Sequence, residues 1–197
     1  EELQIFSDEI MRTTAFFGLR ILPSPDPDAD LVLKLNSGLG AEAWFMRIDP
    51  SSILIEGGGK AGLFYALAAF SQMLITALIK GPAGAALNCG TACDKPRFGW
   101  RGLMLDSARH FQSKETVKAV IRLMAHFRLN TFHWHLTDGQ GWRIASDLVP
   151  KLSNLAALSP GQYTPDDLRE VAEFAGRHNI RIIPEIDIPG HSRGLLA

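Results

Sequence analysis

From position 97 onward, three short apolar runs alternate with two well-marked helix patterns, and that alternation leaves few folds open. The runs occupy 103–106, 131–136 and 180–187. Between the first two, Ser113 is placed to cap a helix in which Val117, Val120, Ile121 and Met124 recur at i, i+3, i+4 and i+7. Between the second and third, Thr164 is followed by Pro165 in the first turn and by Asp167 three residues after the cap. Leu168, Val171, Ala172 and Ala175 are the expected buried face of that helix. Strands separated by helices of this length imply a parallel sheet with right-handed crossovers.

Strand parity says what each face of the sheet carries, because alternate residues point to opposite sides. In the second run Phe132, Trp134 and Leu136 share one side, and His133 and His135 share the other. In the third, Ile182, Pro184 and Ile186 oppose Ile183, Glu185 and Asp187. In the first, Leu103 and Leu105 oppose Met104 and Asp106. The apolar sides are expected to meet the helices, with Trp134 in the core. The opposite sides gather Asp106, His133, His135, Glu185 and Asp187 into a polar interior. Unpaired buried charges cost several kcal/mol each, so these groups are expected to bind one another. Asp, Arg, His and Trp cluster at the carboxyl ends of the runs, in 101–111, 133–143 and 185–191, as in the active site of a (β/α) barrel.

Residues 1–95 read as a separate α+β domain, an antiparallel sheet covered by helices. Strands are predicted over 30–36, 44–48 and 52–56, the last two joined by a turn at Asp49 and Pro50. Three glycines at 57–59 end the sheet run, and a helix over 61–79 follows. The Gly/Ala-rich stretch 81–90 reads as a linker, with the domain boundary near 94–96 and the second domain over 96–197.

Composition narrows the function. The chain has 197 residues, 46% hydrophobic, with a formal net charge of −1. That near-neutral balance gives no electrostatic footprint for nucleic acid or an anionic membrane. The 61–79 segment has almost the length and apolarity of a bilayer span, but Ser71, Gln72 and Thr76 interrupt it, and a helix buried against the sheet is the preferred reading. Cys89 and Cys93 are too sparse for a metal site and are expected as free thiols, with a local disulfide between them as the alternative. The acidic amino terminus has no apolar core of a signal peptide.

The segments 101–111, 133–143 and 185–191 closely resemble the first three barrel strands of the family 20 glycoside hydrolases, the β-N-acetylhexosaminidases. The preceding domain, with GLFYAL at 62–67, resembles the α+β domain that comes before the barrel in that family. The resemblance implies a small α+β sandwich domain followed by the first three strands of a truncated (β/α)8 TIM barrel. It implies hydrolysis of terminal N-acetylglucosamine or N-acetylgalactosamine with retention, by attack of the sugar's own acetamido oxygen rather than a protein carboxylate. No cofactor or metal is expected, and a secreted or periplasmic setting is favoured. By the same resemblance Arg109 binds sugar hydroxyls, Asp138 supports a histidine or the catalytic acid, and Asp187 and His191 are the third-strand residues, His191 tuning the acid. The family's catalytic Asp-Glu pair belongs on a fourth strand; the one Asp-Glu here, Asp8-Glu9, is out of context.

A complete barrel of this kind takes about 250 residues, so the chain is expected to be part of a longer enzyme, inactive alone and prone to self-association. Where many family members carry a second Asp after Asp138, this sequence has Gly139. Two other readings remain open. One is a metal-dependent hydrolase using His133 and His135 with the nearby carboxylates, and the other is a non-catalytic carbohydrate-binding module.

Overall fold

The computed structural model describes residues 31–80, 87–149, 152 and 160–192. The chain divides into two compact units, Glu1–Gly99 and Trp100–Ala197. The first is a four-stranded sheet of β1 (Leu31–Leu35), β2 (Trp44–Ile48), β3 (Ile53–Gly57) and β4 (Gly90–Asp94), with one helix, α1 (Lys60–Lys80), among the described residues. The strand order is β1-β3-β2-β4.

The β2–β3 hairpin forms where its turn signal stands: the Asp49 N–H donates to the Ser52 carbonyl at 2.9 Å. Trp44, Met46 and Ile48 lie on the buried face of β2 and meet Ile55, Tyr65, Ala66, Ala69 and Phe70 in one core. Each fully buried large apolar side chain contributes roughly 1.5–3 kcal/mol. Tyr65 reaches out of this core and donates to Glu42 Oε1 at 3.0 Å. Gly58 permits the tight passage from sheet to α1, since a Cβ there would lie 2.0 Å from the Gly40 carbonyl oxygen. α1 has the length and apolarity of a membrane span, yet its first three turns supply five residues of the sheet's core.

Two expectations for this unit need correction. The sheet is mixed rather than antiparallel, because β1 pairs in parallel with β3. A strand that was not expected, β4, starts at Gly90, the last residue of the stretch read as linker, and runs to Asp94; it pairs antiparallel with β2 and sets Cys93 opposite Phe45. Both pairings join segments far apart in sequence, and neither has a local signature. Cys89 and Cys93 are free and exposed. Residues 81–86, and the Asp8-Glu9 pair, lie outside the described residues.

The second unit runs β5 (Gly102–Asp106), α2 (Lys114–His126), β6 (Thr131–His135), β7 (Thr137–Asp138), β8 (Gly141–Trp142), α3 (Pro165–Arg177) and β9 (Arg181–Glu185). β5, β6 and β9 form a parallel sheet in that order. Phe132 and Trp134 are buried on its apolar side, with Val117, Ile121 and Met124 of α2 and Val171 and Ala175 of α3 also in the core. Ala172 was expected there too but is exposed. The buried stripe of α3 turns instead toward Phe174 and His178, whose ring Nδ1 lies 2.7 Å from the Phe174 carbonyl. A short antiparallel pair, β7–β8, occupies what reads in the sequence as a loop.

Both helix starts follow their capping residues. Ser113 accepts from the Thr116 N–H, and Thr164 and Asp167 close a reciprocal capping box. Lys114 then bridges α2 to α3, 2.7 Å from Asp167 and 2.8 Å from Glu170. Hydrogen bonds from Lys114, and next from Thr164, bring the Asp167 carboxyl from its ordinary 3.8 down to about 2. The unfolded chain takes up this proton first, so the stabilisation is complete above the ordinary value and lost as pH falls through the folded one. Asp167→Asn should therefore lower the thermal midpoint near neutral pH. Its deficit against the parent should close between about pH 4 and pH 2. A deficit that stays constant over that window would contradict the assignment.

Candidate active site

The parallel register lines up the polar ends of three strands. Asp106 at the end of β5 stands opposite His135 of β6, which stands opposite Glu185 of β9. Two residues back, His133 pairs in register with Met104 and Ile183 on the same face. The next residues climb out of the sheet: Asp138 is on β7, and Asp187 follows β9. The Asp187 N–H donates to Thr137 Oγ1 at 3.2 Å, tying these two exits together.

Asp138 Oδ2 is the hub of the site. It lies 2.6 Å from Arg109 Nη2 and 3.0 Å from His191 Nδ1, and its side chain is 4% exposed. Arg109 is held from below by Asp106: its backbone N–H donates to Oδ1 at 3.0 Å and its Nη1 to Oδ2 at 2.8 Å. Partial burial works to raise the Asp106 carboxyl, but the Arg109 hydrogen bonds prevail and hold it below its usual value. Arg109 is in turn raised, first by its bond to Asp106. His191 reaches the hub from a backbone with φ of +55°, sparsely populated for a residue with a side chain. Such conformations cluster where a side chain must be aimed.

The polar interior is a network, although not a fully hydrogen-bonded one. His133 Nε2 contacts Glu185 Oε2. His135 is buried with its Nδ1 3.1 Å from Asp106 Oδ1, a distance suited to an ion pair but not aligned as a hydrogen bond. Its Nε2 has Asp187 Oδ2, Glu185 Oε1 and Asp138 Oδ2 at 3.6, 3.7 and 3.8 Å.

Sequence reasoning passed over the residues that fix the loop carrying Arg109. Arg143, 1% exposed, donates to the carbonyls of Ser107 at 2.8 Å, Ala108 at 2.8 Å and Gly161 at 3.1 Å. Ser107 Oγ accepts from Trp134 Nε1 at 2.9 Å and lies 3.1 Å from the Tyr163 hydroxyl, which donates to the Gln112 carbonyl at 2.5 Å. Burial pulls the Arg143 guanidinium below its ordinary value and pushes the Tyr163 phenol up. Gly141 is needed here because a Cβ would lie 2.5 Å from the Ala108 carbonyl oxygen. The available signal was slight: an arginine closing the segment 133–143, with nothing local to mark the backbone carbonyls it binds.

The structure thus brings Arg109, Asp138 and His191 into mutual contact, sets Asp187, Glu185, His133 and His135 directly beneath, and joins the two layers through Asp106. A pinned carboxylate, an imidazole whose second nitrogen has no partner among the described residues and a guanidinium 38% exposed are suited to gripping a polyhydroxylated ligand and managing one proton. A parallel sheet with such groups at its carboxyl ends defines the class: the opening part of a (β/α) barrel.

Comparison with known proteins makes this specific. Residues 98–197 match the catalytic domain of glycosyl hydrolase family 20, and residues 8–95 match domain 2 of the same family. The chain belongs to glycosyl hydrolase family 20. It is 39% identical over 85% of its length to a beta-hexosaminidase of Vibrio furnissii, of which it covers 30%, and 36% identical over 81% to a beta-N-acetylhexosaminidase of Cellulomonas fimi, of which it covers 33%. In structure it resembles the N-acetyl-beta-hexosaminidase of Streptomyces plicatus, with a TM-score of 0.88, 30% identity and coverage of 100% of this chain and 42% of that one. An exo beta-N-acetylglucosaminidase of Vibrio harveyi, solved with N-acetylglucosamine, gives a TM-score of 0.81, 33% identity and coverage of 99% and 32%. The chain spans about a third of the length of these relatives. Its second unit is the first part of the family's TIM barrel.

Proposed function

We propose that this chain supplies the sugar-gripping and acid-tuning side of a retaining exo-β-N-acetylhexosaminidase, whose catalytic Asp-Glu pair lies on a later barrel strand. The reading rests on one observation: Arg109 and His191 meet on the buried carboxylate of Asp138, at distances of 2.6 and 3.0 Å.

In the reaction the family resemblance implies, the acid protonates the glycosidic oxygen as the acetamido oxygen of the same sugar attacks C1. The aglycone leaves and an oxazolinium forms. The resulting carboxylate then takes a proton from water as the water opens the oxazolinium at C1, retaining the configuration. This chain's residues hold and tune. Asp106 and Asp138 fix the Arg109 fork so that its remaining donors meet sugar hydroxyls. Asp138 holds His191 by Nδ1, which leaves Nε2 as the nitrogen able to bond the acid and keep its proton poised. Asp187, below them, orients the loop that carries His191. Gly139, in place of a second Asp, donates its N–H to Asp138 Oδ1 at 2.5 Å.

The test compares the protein encoded by the extended reading frame with this chain alone, on an aryl N-acetyl-β-glucosaminide. The longer protein should release the aryl group and the chain alone should not. Hydrolysis by the isolated chain, or none by a well-folded longer protein, would remove the proposal. Saturable sugar binding by the isolated chain would favour the carbohydrate-binding module instead. The residues left exposed, among them Leu103, Met104, Ile186 and Ile188, are the surface through which the isolated chain should self-associate. A monomer across a wide concentration range in light scattering would oppose this.

A further inference from the structure

We infer that His135 Nε2, Glu185 Oε1 and Asp187 Oδ2 form a binding site for one divalent cation of borderline softness, such as Zn²⁺, beneath the sugar-facing groups. The three residues offer ligand atoms that all lie within 4.8 Å of one another. His135 points to a ligand independently of the carboxylates. It is 1% exposed, and among the described residues neither ring nitrogen has a hydrogen-bond partner. Its Nε2 faces only carboxylate oxygens at 3.6–3.8 Å, too far for hydrogen bonds but spaced for an ion among them. A buried imidazole without a partner is costly, and a cation coordinated at Nε2 would remove the part of that cost borne by this nitrogen.

The surroundings have the form of an outer shell. Asp106 Oδ1 lies 3.1 Å from His135 Nδ1, on the ring edge away from the ion; the pair is not aligned as a hydrogen bond, but a small turn of the ring toward a bound ion would complete a carboxylate–histidine–metal arrangement. Glu185 uses Oε2 on His133 and presents Oε1 to His135, so each oxygen has its own role. Asp138 Oδ2 is engaged by Arg109 and His191, which removes it from the ligand set. His133 is removed in the same way, so the site is not the His-x-His pair considered from the sequence. Charge favours a cation as well. Asp106, Asp138, Glu185 and Asp187 share this region, and among the described residues Arg109 is the guanidinium paired with them. One imidazole with two carboxylates suits a borderline divalent ion.

The experiment uses the whole chain carrying Cys89→Ser and Cys93→Ser, which removes the exposed thiols as competing zinc ligands, and titrates it with Zn²⁺ by calorimetry. One saturable site is expected, with a Kd of about 10 μM or tighter. His135→Ala and Asp187→Asn should each weaken it at least about tenfold, and Asp106→Asn by about tenfold through the outer shell. The exposed His110→Ala control should leave it unchanged. Because His135 variants can misfold, Asp187→Asn with an unchanged circular dichroism spectrum carries the same test. No saturation below about 1 mM, or an affinity indifferent to both His135 and Asp187, would overturn the inference. Neither outcome bears on the glycosidase reading, which stands on Arg109, Asp138 and His191.

Discussion

Replacing Arg109 by alanine in the longer enzyme should lower kcat/KM on an aryl N-acetyl-β-glucosaminide by about a hundredfold or more, the scale of losing two charge-assisted hydrogen bonds. Folding should change little, because the side chain is 38% exposed and its partners Asp106 and Asp138 keep other contacts. Arg109→Lys should recover only part of the loss, since an ammonium is a point charge and cannot span paired hydroxyls as a fork does. How the loss divides is informative. A rise in KM alone means that the grip is equal in ground and transition states, while a fall in kcat means that it tightens as the sugar ring distorts. A change of less than about threefold, or a fall in activity that follows lost stability, would reduce Arg109 to a salt bridge that merely closes the loop after β5.

Arg109 was assigned through the family resemblance of 101–111, whereas the polar face of the sheet was legible because its determinants are local. Strand parity needs only alternate residues, so His133 and His135 are assigned to one side of β6 before any partner is known. The caps at Ser113 and Thr164 are likewise sealed within four residues. What escaped depends on segments distant in sequence. β4 has no periodicity that marks it as a strand; it exists because β2 offers it an edge. The direction of β1 is set by its seat beside β3. Val171 and Ala175 follow the helix period, but Ala172 does not, because the stripe turns toward Phe174 and His178. At the site the same division holds. Asp138 and His191 stand in recognisable segments, whereas the clamp of Arg143, Ser107 and Tyr163 spans 56 residues and appears only once the chain has folded.

That clamp is where the largest loss of stability is expected. Arg143→Ala removes the donor for the Ser107, Ala108 and Gly161 carbonyls and leaves a void beside Phe111, over whose ring the guanidinium sits at 5.8 Å. Buried carbonyls left without a donor cost about 1–3 kcal/mol each, and the void adds to this, so a loss of roughly 3–5 kcal/mol is expected. Denaturant unfolding followed by tryptophan fluorescence would measure it, since Trp134 shares Ser107 with the clamp. Arg143→Met tests the cause. If packing dominates, methionine should restore most of the stability because it fills the space; if carbonyl satisfaction dominates, it should restore little. The second result is expected, because the arginine nitrogens lie 2.8–3.1 Å from three separate backbone oxygens. The consequence for function is distinct from global unfolding. Ser107 and Ala108 immediately precede Arg109, so freeing their carbonyls loosens the guanidinium's approach to Asp138. In the longer enzyme Arg143→Met should therefore raise KM at temperatures where the protein is still fully folded. An unchanged KM in a destabilised variant would confine Arg143 to holding the loop, with no influence on where the sugar is gripped.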